Sequence, residues 1–214
     1  MGDMKRQSPA QFKSRPVKTD VRDHWVVALE FENEGPGPWL VDLCHKTRWD
    51  LQDGRIDEQT PSGVSVPSVP GECRFENRIL VNRMNHTQAA VWLLGNGRAP
   101  ELPAETGYTD VSEATVFLAL FGPKVFSIAE KLTALDFTDP NRQTPFLLQG
   151  PFSHVPCQIV TLARERAGAG ALLLACSRGY ARDMVHAILA AGAAYGLCPA
   201  GENRFTSWLA SMQA

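Results

Sequence analysis

The sequence predicts an α+β fold, a mostly antiparallel sheet with helices packed on it, and three observations carry that reading. Val116, Leu118 and Leu120 alternate with Phe117, Ala119 and Phe121, so this run is apolar on both faces and reads as a central strand buried on both sides. Gln158 to Ala163 and Ala171 to Cys176 are two apolar strand candidates joined through Ala167-Gly-Ala-Gly170, a hairpin signal. Met184, Val185, Ile188 and Leu189 share one face of a helix that begins near Ala181. The resulting order in the C-terminal half, strand, helix, strand, strand, helix, is that of helices laid on an antiparallel sheet.

The elements follow in chain order. Residues 1–22 hold Lys5, Arg6, Lys13, Arg15, Lys18 and Arg22 in a polar stretch with Pro9 and Pro16, and are expected to form a basic N-terminal arm ahead of one domain over 23–214. The arm reads as a solvated face or as a docking segment for an acidic partner surface. Val26, Val27, Ala28 and Leu29 mark a strand stopped by Glu34-Gly-Pro-Gly-Pro38, and a second is expected from Trp39 through Leu40, Val41 and Leu43 toward Trp49 and Leu51. Residues 52–72 contain Gly54, Pro61, Gly63, Pro67, Pro70 and Gly71, and read as a long loop that is functional, partner-covered or mobile. The strand pattern resumes at Ile79-Leu-Val81 and at 89–94, and ends at Gly95-Asn-Gly97.

Beyond the central strand, Gly122 frees the backbone to turn, and Pro123 suits the first turn of a helix on which Val125, Ile128, Ala129 and Leu132 form a core-facing stripe. Residues 136–151, with Pro140, Pro145 and Gly150, read as irregular. Gly192, on the apolar face of the later helix, leaves room for a close neighbour, and Phe205, Trp208, Leu209 and Met212 mark a last amphipathic piece.

Composition bounds the function. The chain has 214 residues, 44% of them hydrophobic and 21% charged, with a formal net charge of -2, which describes a globular protein and not a nucleic-acid binder. No apolar run reaches membrane-spanning length and residues 1–18 lack the apolar centre of a signal peptide, so no membrane insertion and a cytoplasmic location are expected. Cys44, Cys73, Cys157, Cys176 and Cys198 show no Cys-x-x-Cys pairing and read as free thiols in a reducing compartment.

Motifs that carry chemistry are sparse. His24, His45, His86, His154 and His186 lack metal-ligand spacing, and no metal site is expected. There is no Gly-Lys-Ser/Thr phosphate loop and no serine nucleophile elbow. Asp110 and Glu113 bracket Ser112 and suit either a paired-carboxylate site or a turn at the mouth of the central strand; the turn is favoured, because no nucleophile lies nearby. Asn82-Arg-Met-Asn85 and His86-Thr-Gln88 supply amides that suit the edge of a heteroaromatic ligand or, alternatively, cap and turn the chain before residue 89.

Thr109-Asp-Val-Ser112 with Phe117-Leu-Ala-Leu-Phe-Gly-Pro-Lys124 resembles the Asp-Val-Ser, apolar strand and Gly-Pro-Lys-Ala helix start of the glycine cleavage T protein. That protein is a tetrahydrofolate-dependent aminomethyltransferase, whose superfamily includes the small gamma subunit of heterotetrameric sarcosine oxidase. Residues 128–136 are similar to the leucine-rich helix that follows, Gly196-Leu-Cys-Pro-Ala-Gly201 to the family's Gly-x-x-Pro-Ala-Gly, and Leu40-Val-Asp-Leu-Cys-His45 to its Asp-Leu-Ser-His strand. The resemblance touches most of residues 38–214 and implies the fold of the T protein's folate-binding domain. The chain's length is that of the gamma subunit.

The departures bear on function. With Leu80-Val-Asn82 and Asn85 laid on the family's Val-Val-Asn-Ala-x-Asn, the catalytic aspartate falls on Ala89, and a register through Val91-Trp-Leu-Leu-Gly95 supplies no acid either. The pterin-binding Arg-Thr-Gly-Tyr-Thr-Gly-Glu would lie near Arg166-Ala-Gly-Ala-Gly-Ala171, where the acid is lost. Arg204 stands one place out from the arginine that follows Pro-Ala-Gly. The resemblance therefore implies no catalytic residue, a vestigial folate pocket at Asn82, Asn85 and Arg204, and no tightly bound cofactor, with tetrahydrofolate the ligand such a pocket would take. It implies a non-catalytic gamma-like subunit of a multisubunit amine (sarcosine- or glycine-type) oxidoreductase or one-carbon complex, whose partners are larger flavin- or folate-binding subunits. The alternatives are a tetrahydrofolate-dependent aminomethyl- or methyltransferase-like protein, with Asp110 or Glu113 as its acid, and a stand-alone folate-binding module.

Overall fold

The computed structural model describes residues 5–98, 100–104, 107–164 and 169–212. The strands are β1 (Pro16–Arg22), β2 (Trp25–Phe31), β3 (Trp39–Asp42), β4 (Arg48–Gln52), β5 (Cys73–Glu76), β6 (Ile79–Arg83), β7 (Gln88–Leu93), β8 (Tyr108–Asp110), β9 (Thr115–Gly122), β10 (Phe146–Phe152), β11 (Val155–Arg164), β12 (Gly170–Ser177) and β13 (Cys198–Ala200). The α-helices are α1 (Val125–Ala129), α2 (Ala181–Gly192) and α3 (Glu202–Ser211). The strands form a six-stranded sheet in the order β10-β11-β12-β9-β3-β13, a five-stranded sheet in the order β5-β6-β7-β4-β8, and the hairpin β1-β2. Among the described strands every pairing is antiparallel except β13 with β3, so the fold is α+β as expected.

Strand β9 separates the two main cores, and its period of two explains how. Val116, Leu118 and Leu120 face a cluster built with α1 and α2, including Val125, Ile128, Met184 and Ile188. Phe117, Ala119 and Phe121 face the five-stranded sheet and α3, meeting Leu80, Trp92, Phe205 and Leu209. Strand β7 repeats the device one layer out. Ala90 and Trp92 point inward, while Ala89, Val91 and Leu93 join Trp49, Ile56, Val64 and Val66 in a third cluster on the outer face. The β11–β12 hairpin pairs from Cys157 with Cys176 to Arg164 with Gly170, with one register shift between Thr161 and Ala163, and residues 165–168 of its Gly/Ala-rich turn lie outside the described residues.

Five local readings are refined. The basic arm is not wholly a solvated tail: residues 16–22 are strand β1, paired with β2, because a tight turn at Asp23-His24 folds them back. The single strand expected over 39–51 is two strands in different sheets. Asp42 Oδ1 accepts the Cys44 N–H at 2.9 Å and the Leu43 carbonyl accepts the Lys46 N–H at 2.8 Å, which closes a turn between them. The loop 52–72 is packed down, with Ile56, Val64 and Val66 buried and Arg83 Nη1 bonded to Asp57 Oδ1 at 2.8 Å. Helix α1 stops at Ala129, where the Leu132 and Thr133 N–H groups both turn back onto the Ala129 carbonyl, and Leu132 is only half-buried. In α3, Phe205 and Leu209 are buried as expected but Met212 is exposed.

Two glycines have the roles their spacing suggested. Gly122 has φ +105° beside the Trp39 ring, and any side chain on Gly192 would run into Leu197. None of the described helices is long and apolar enough to cross a membrane.

Candidate functional site

The three residues of the expected folate pocket do not converge. Asn82 lies in β6 opposite Ala90, so its side chain shares the inward face with Leu80. It is fully buried, and neither its Oδ1 nor its Nδ2 has a hydrogen-bond partner among the described residues. Asn85 builds the β6–β7 turn: its Oδ1 accepts the Thr87 N–H at 2.9 Å and its Nδ2 donates to Gln88 Oε1 at 3.1 Å. Arg204 donates from Nε to Glu34 Oε2 at 3.0 Å and lies over the Trp39 ring, 5.2 Å from its centroid. Glu34 also accepts the N–H groups of Phe31 and Gly201 through Oε1, so Arg204 belongs to a clamp that ties α3 to the segment after β2. Ala89, where the resemblance places an acid, is buried on the outer face of the sheet against the Trp49 and Ile56 cluster, the opposite face from Asn82.

Asp110 and Glu113 form a turn. Asp110 Oδ1 accepts the Ser112 N–H at 2.8 Å, and Ser112 Oγ accepts the Arg48 N–H at 2.9 Å. The Arg48 guanidinium is buried and donates to Thr115 Oγ1 at 2.9 Å and to the carbonyls of Lys46, Ser112 and Thr115. Burial lowers its pKa to about 10, and carbonyl and hydroxyl acceptors hold it in place of a carboxylate. Glu113 pairs with Arg6 at 2.5 Å on the surface.

The most concentrated buried charge lies elsewhere, where Lys46 and Glu202, which the sequence did not single out, meet Arg22 of the basic arm and His45. Glu202 opens α3, where a carboxylate is favoured by the unsatisfied N–H groups and the dipole of the first turn. Gly201 before it packs directly under the Leu29 carbonyl, where a Cβ would overlap, and this lets α3 start against β2. Glu202 is 1% exposed. His45 Nε2 lies 3.0 Å and Lys46 Nζ 2.5 Å from its Oε1, and Arg22 Nη1 lies 2.5 Å from its Oε2. Lys46 Nζ also donates to the Gly95 carbonyl and to Asn96 Oδ1, each at 2.8 Å. Burial alone would raise the Glu202 pKa, but the hydrogen bonds and charges of His45 and Lys46 outweigh it and bring the carboxyl down to about 2. Burial lowers the Lys46 pKa, and the Glu202 carboxylate opposes that shift.

Above this cluster opens a cleft with a cavity volume of ≈ 250 Å³, walled by the β1–β2 turn, the β3–β4 turn, the β5–β6 turn and the loop after β7. Arg22, Lys46, Arg78 and Arg98 line it against one acid, Asp23. The members come from positions 22, 45, 46, 78, 98 and 202, so no local spacing marks the site. The one sequence signal for it was a glutamate directly after Pro-Ala-Gly at a helix start.

No family model matches the sequence, and no curated protein sequence matches it. Among solved structures, the fold is similar to a chain of the heterotetrameric sarcosine oxidase from Corynebacterium sp. U-96 in complex with pyrrole 2-carboxylate. The TM-score is 0.57 at 15% identity, over 73% of this chain and 84% of that one. At that identity the likeness is one of fold.

Proposed function

We propose that this chain is a non-catalytic, gamma-like subunit of a heteromeric amine oxidoreductase of the sarcosine or glycine type, and that it packs against larger flavin- or folate-binding subunits. The observation that carries the reading is the overlap with 84% of one chain of a heterotetrameric sarcosine oxidase. The shared unit is nearly all of that chain, and the two chains are of similar size. A structural role also accords with Ala89, which is buried among Trp49, Ile56 and Val91 where an aminomethyltransferase needs an acid. The outer edge of β1 is free of other strands among the described residues and presents Val17 and Val21, 62% and 47% exposed, a surface of the kind a partner covers.

The test is purification of the tagged full chain from its native source. Under this reading a larger flavin-absorbing protein and sarcosine-dependent dye reduction co-elute with it, and the chain made alone carries no flavin. A chain that elutes by itself while the amine-oxidising activity elutes elsewhere overturns the proposal.

One observation favours a second reading, that of a folate-binding module or tetrahydrofolate-dependent transferase: the buried amide of Asn82 without a partner. Calorimetric titration with tetrahydrofolate decides it. Heat that is lost in Asn82→Leu supports the second reading, and absence of heat removes it.

A further inference from the structure

We propose that the cleft above Glu202 binds a small free oxyanion, a phosphate or carboxylate compound, through the guanidinium groups of Arg78 and Arg98. The site is independent of any role in a complex. Its charge is unbalanced. Arg22, Lys46, Arg78 and Arg98 are set against Asp23, the buried Glu202 and Asp20, which pairs with Arg22 at 2.9 Å, leaving a surplus of one positive charge. Arg22 and Lys46 are already bonded to Glu202, whereas Arg78 and Arg98 have no side-chain acceptor among the described residues. A half-buried guanidinium such as Arg78 has lost part of its hydration and gained no partner, which favours an incoming anion.

The turn backbone supplies the test variant. Asn77 and Arg78 form the two-residue turn between β5 and β6 with φ +50° and +63°. Such turns favour glycine at the second position, and an arginine there carries a steric penalty that glycine would not. The Asp23-His24 and Ser153-His154 turns have the same left-handed backbone, and what sets Arg78 apart from them is that it lines the cleft as a cation without a side-chain acceptor among the described residues. Size sets the ligand class. At ≈ 250 Å³ the cavity falls just below the range of roughly 300–1,000 Å³ for small-molecule pockets, so it takes a compact anion and not an extended cofactor. Ile79 and Leu93 give it one apolar wall, suited to a short carbon skeleton behind the charged group.

The test is thermal unfolding of the full chain in phosphate and in succinate, each against sodium chloride at equal ionic strength. The expected result is a saturating rise of roughly 5 °C with at least one of the two anions. Phosphate alone identifies a phosphorylated ligand and succinate alone a carboxylate one, and either supports the site. Arg78→Gly abolishes the rise while its own melting temperature in sodium chloride equals or exceeds that of the wild type, because glycine accepts the left-handed turn. Arg98→Gln, on an exposed loop, reduces the rise. No rise beyond the chloride control, or a rise that survives in the Arg78→Gly, Arg98→Gln double variant, overturns the proposal.

Discussion

Strand β9 and the Glu202 cluster are both buried, but they are stabilised in opposite ways. Each apolar side chain of β9 contributes by leaving water, and it needs no particular partner to do so. Glu202 has no such independence. The ionised carboxylate is tolerable in the interior only because Arg22, His45 and Lys46 all reach it. The first kind of region fails in proportion to what is removed, and the second fails when any one member is removed.

The largest expected effect falls on the apolar side. Phe117 is fully buried against Trp92, ring centroids 4.9 Å apart, and carries the Arg48 guanidinium 5.0 Å from its own ring centre. Phe117→Ala is expected to cost about 3–5 kcal/mol in urea unfolding. A loss below about 1 kcal/mol would show that β9 is not the centre of the fold.

Glu202→Gln tests the other side and carries its own pH signature. The Glu202 carboxyl lies at about 2 in the fold against an ordinary 4.5, so the stability it contributes is fully present above pH 4.5 and lost as the pH falls through 2. The variant is expected to be roughly 3 kcal/mol less stable than wild type near neutral pH, with the two stability curves converging toward pH 2. The double variant Glu202→Leu, Lys46→Met removes both members of the more buried of the two 2.5 Å pairs and is expected to lose less than Glu202→Gln alone. Parallel curves, or a double variant worse than the single, would place Glu202 among ordinary packing residues.

The same contrast explains what was legible in the sequence. The two faces of β9 alternate within six consecutive residues, the β11–β12 hairpin lies within 23, and the apolar face of α2 recurs at helical spacing, so a local period reveals each of them. The break between β3 and β4 was hidden, because the turn depends on hydrogen bonds accepted by Asp42 and Leu43 that leave the apolar pattern running through. Strand β1 was hidden because none of its side chains is buried and no apolar period marks it, and its partner β2 makes it a strand. The Glu202 cluster left no local period, since its charges meet across 180 positions of sequence and are brought together by tertiary structure alone.

Asn82 is the smallest and most informative case, a polar residue placed on the apolar side of this comparison. Its amide lies fully buried between the sheets beside Leu80 and opposite Ala90, with neither end bonded. An unmatched buried amide costs about 1–3 kcal/mol, and leucine has nearly its shape without its polarity. Asn82→Leu is therefore expected to stabilise the ligand-free chain by about 1 kcal/mol in urea unfolding, and Thr161→Val, which removes the other unmatched buried side chain among the described residues, by a smaller amount. If Asn82→Leu destabilises instead, the amide is satisfied by something that enters the sheet interface, and that face is a binding surface and not only a core. A gain that holds without ligand but reverses when tetrahydrofolate is present would give the same residue both roles, with its amide left unmatched in the free chain because it is matched in the complex.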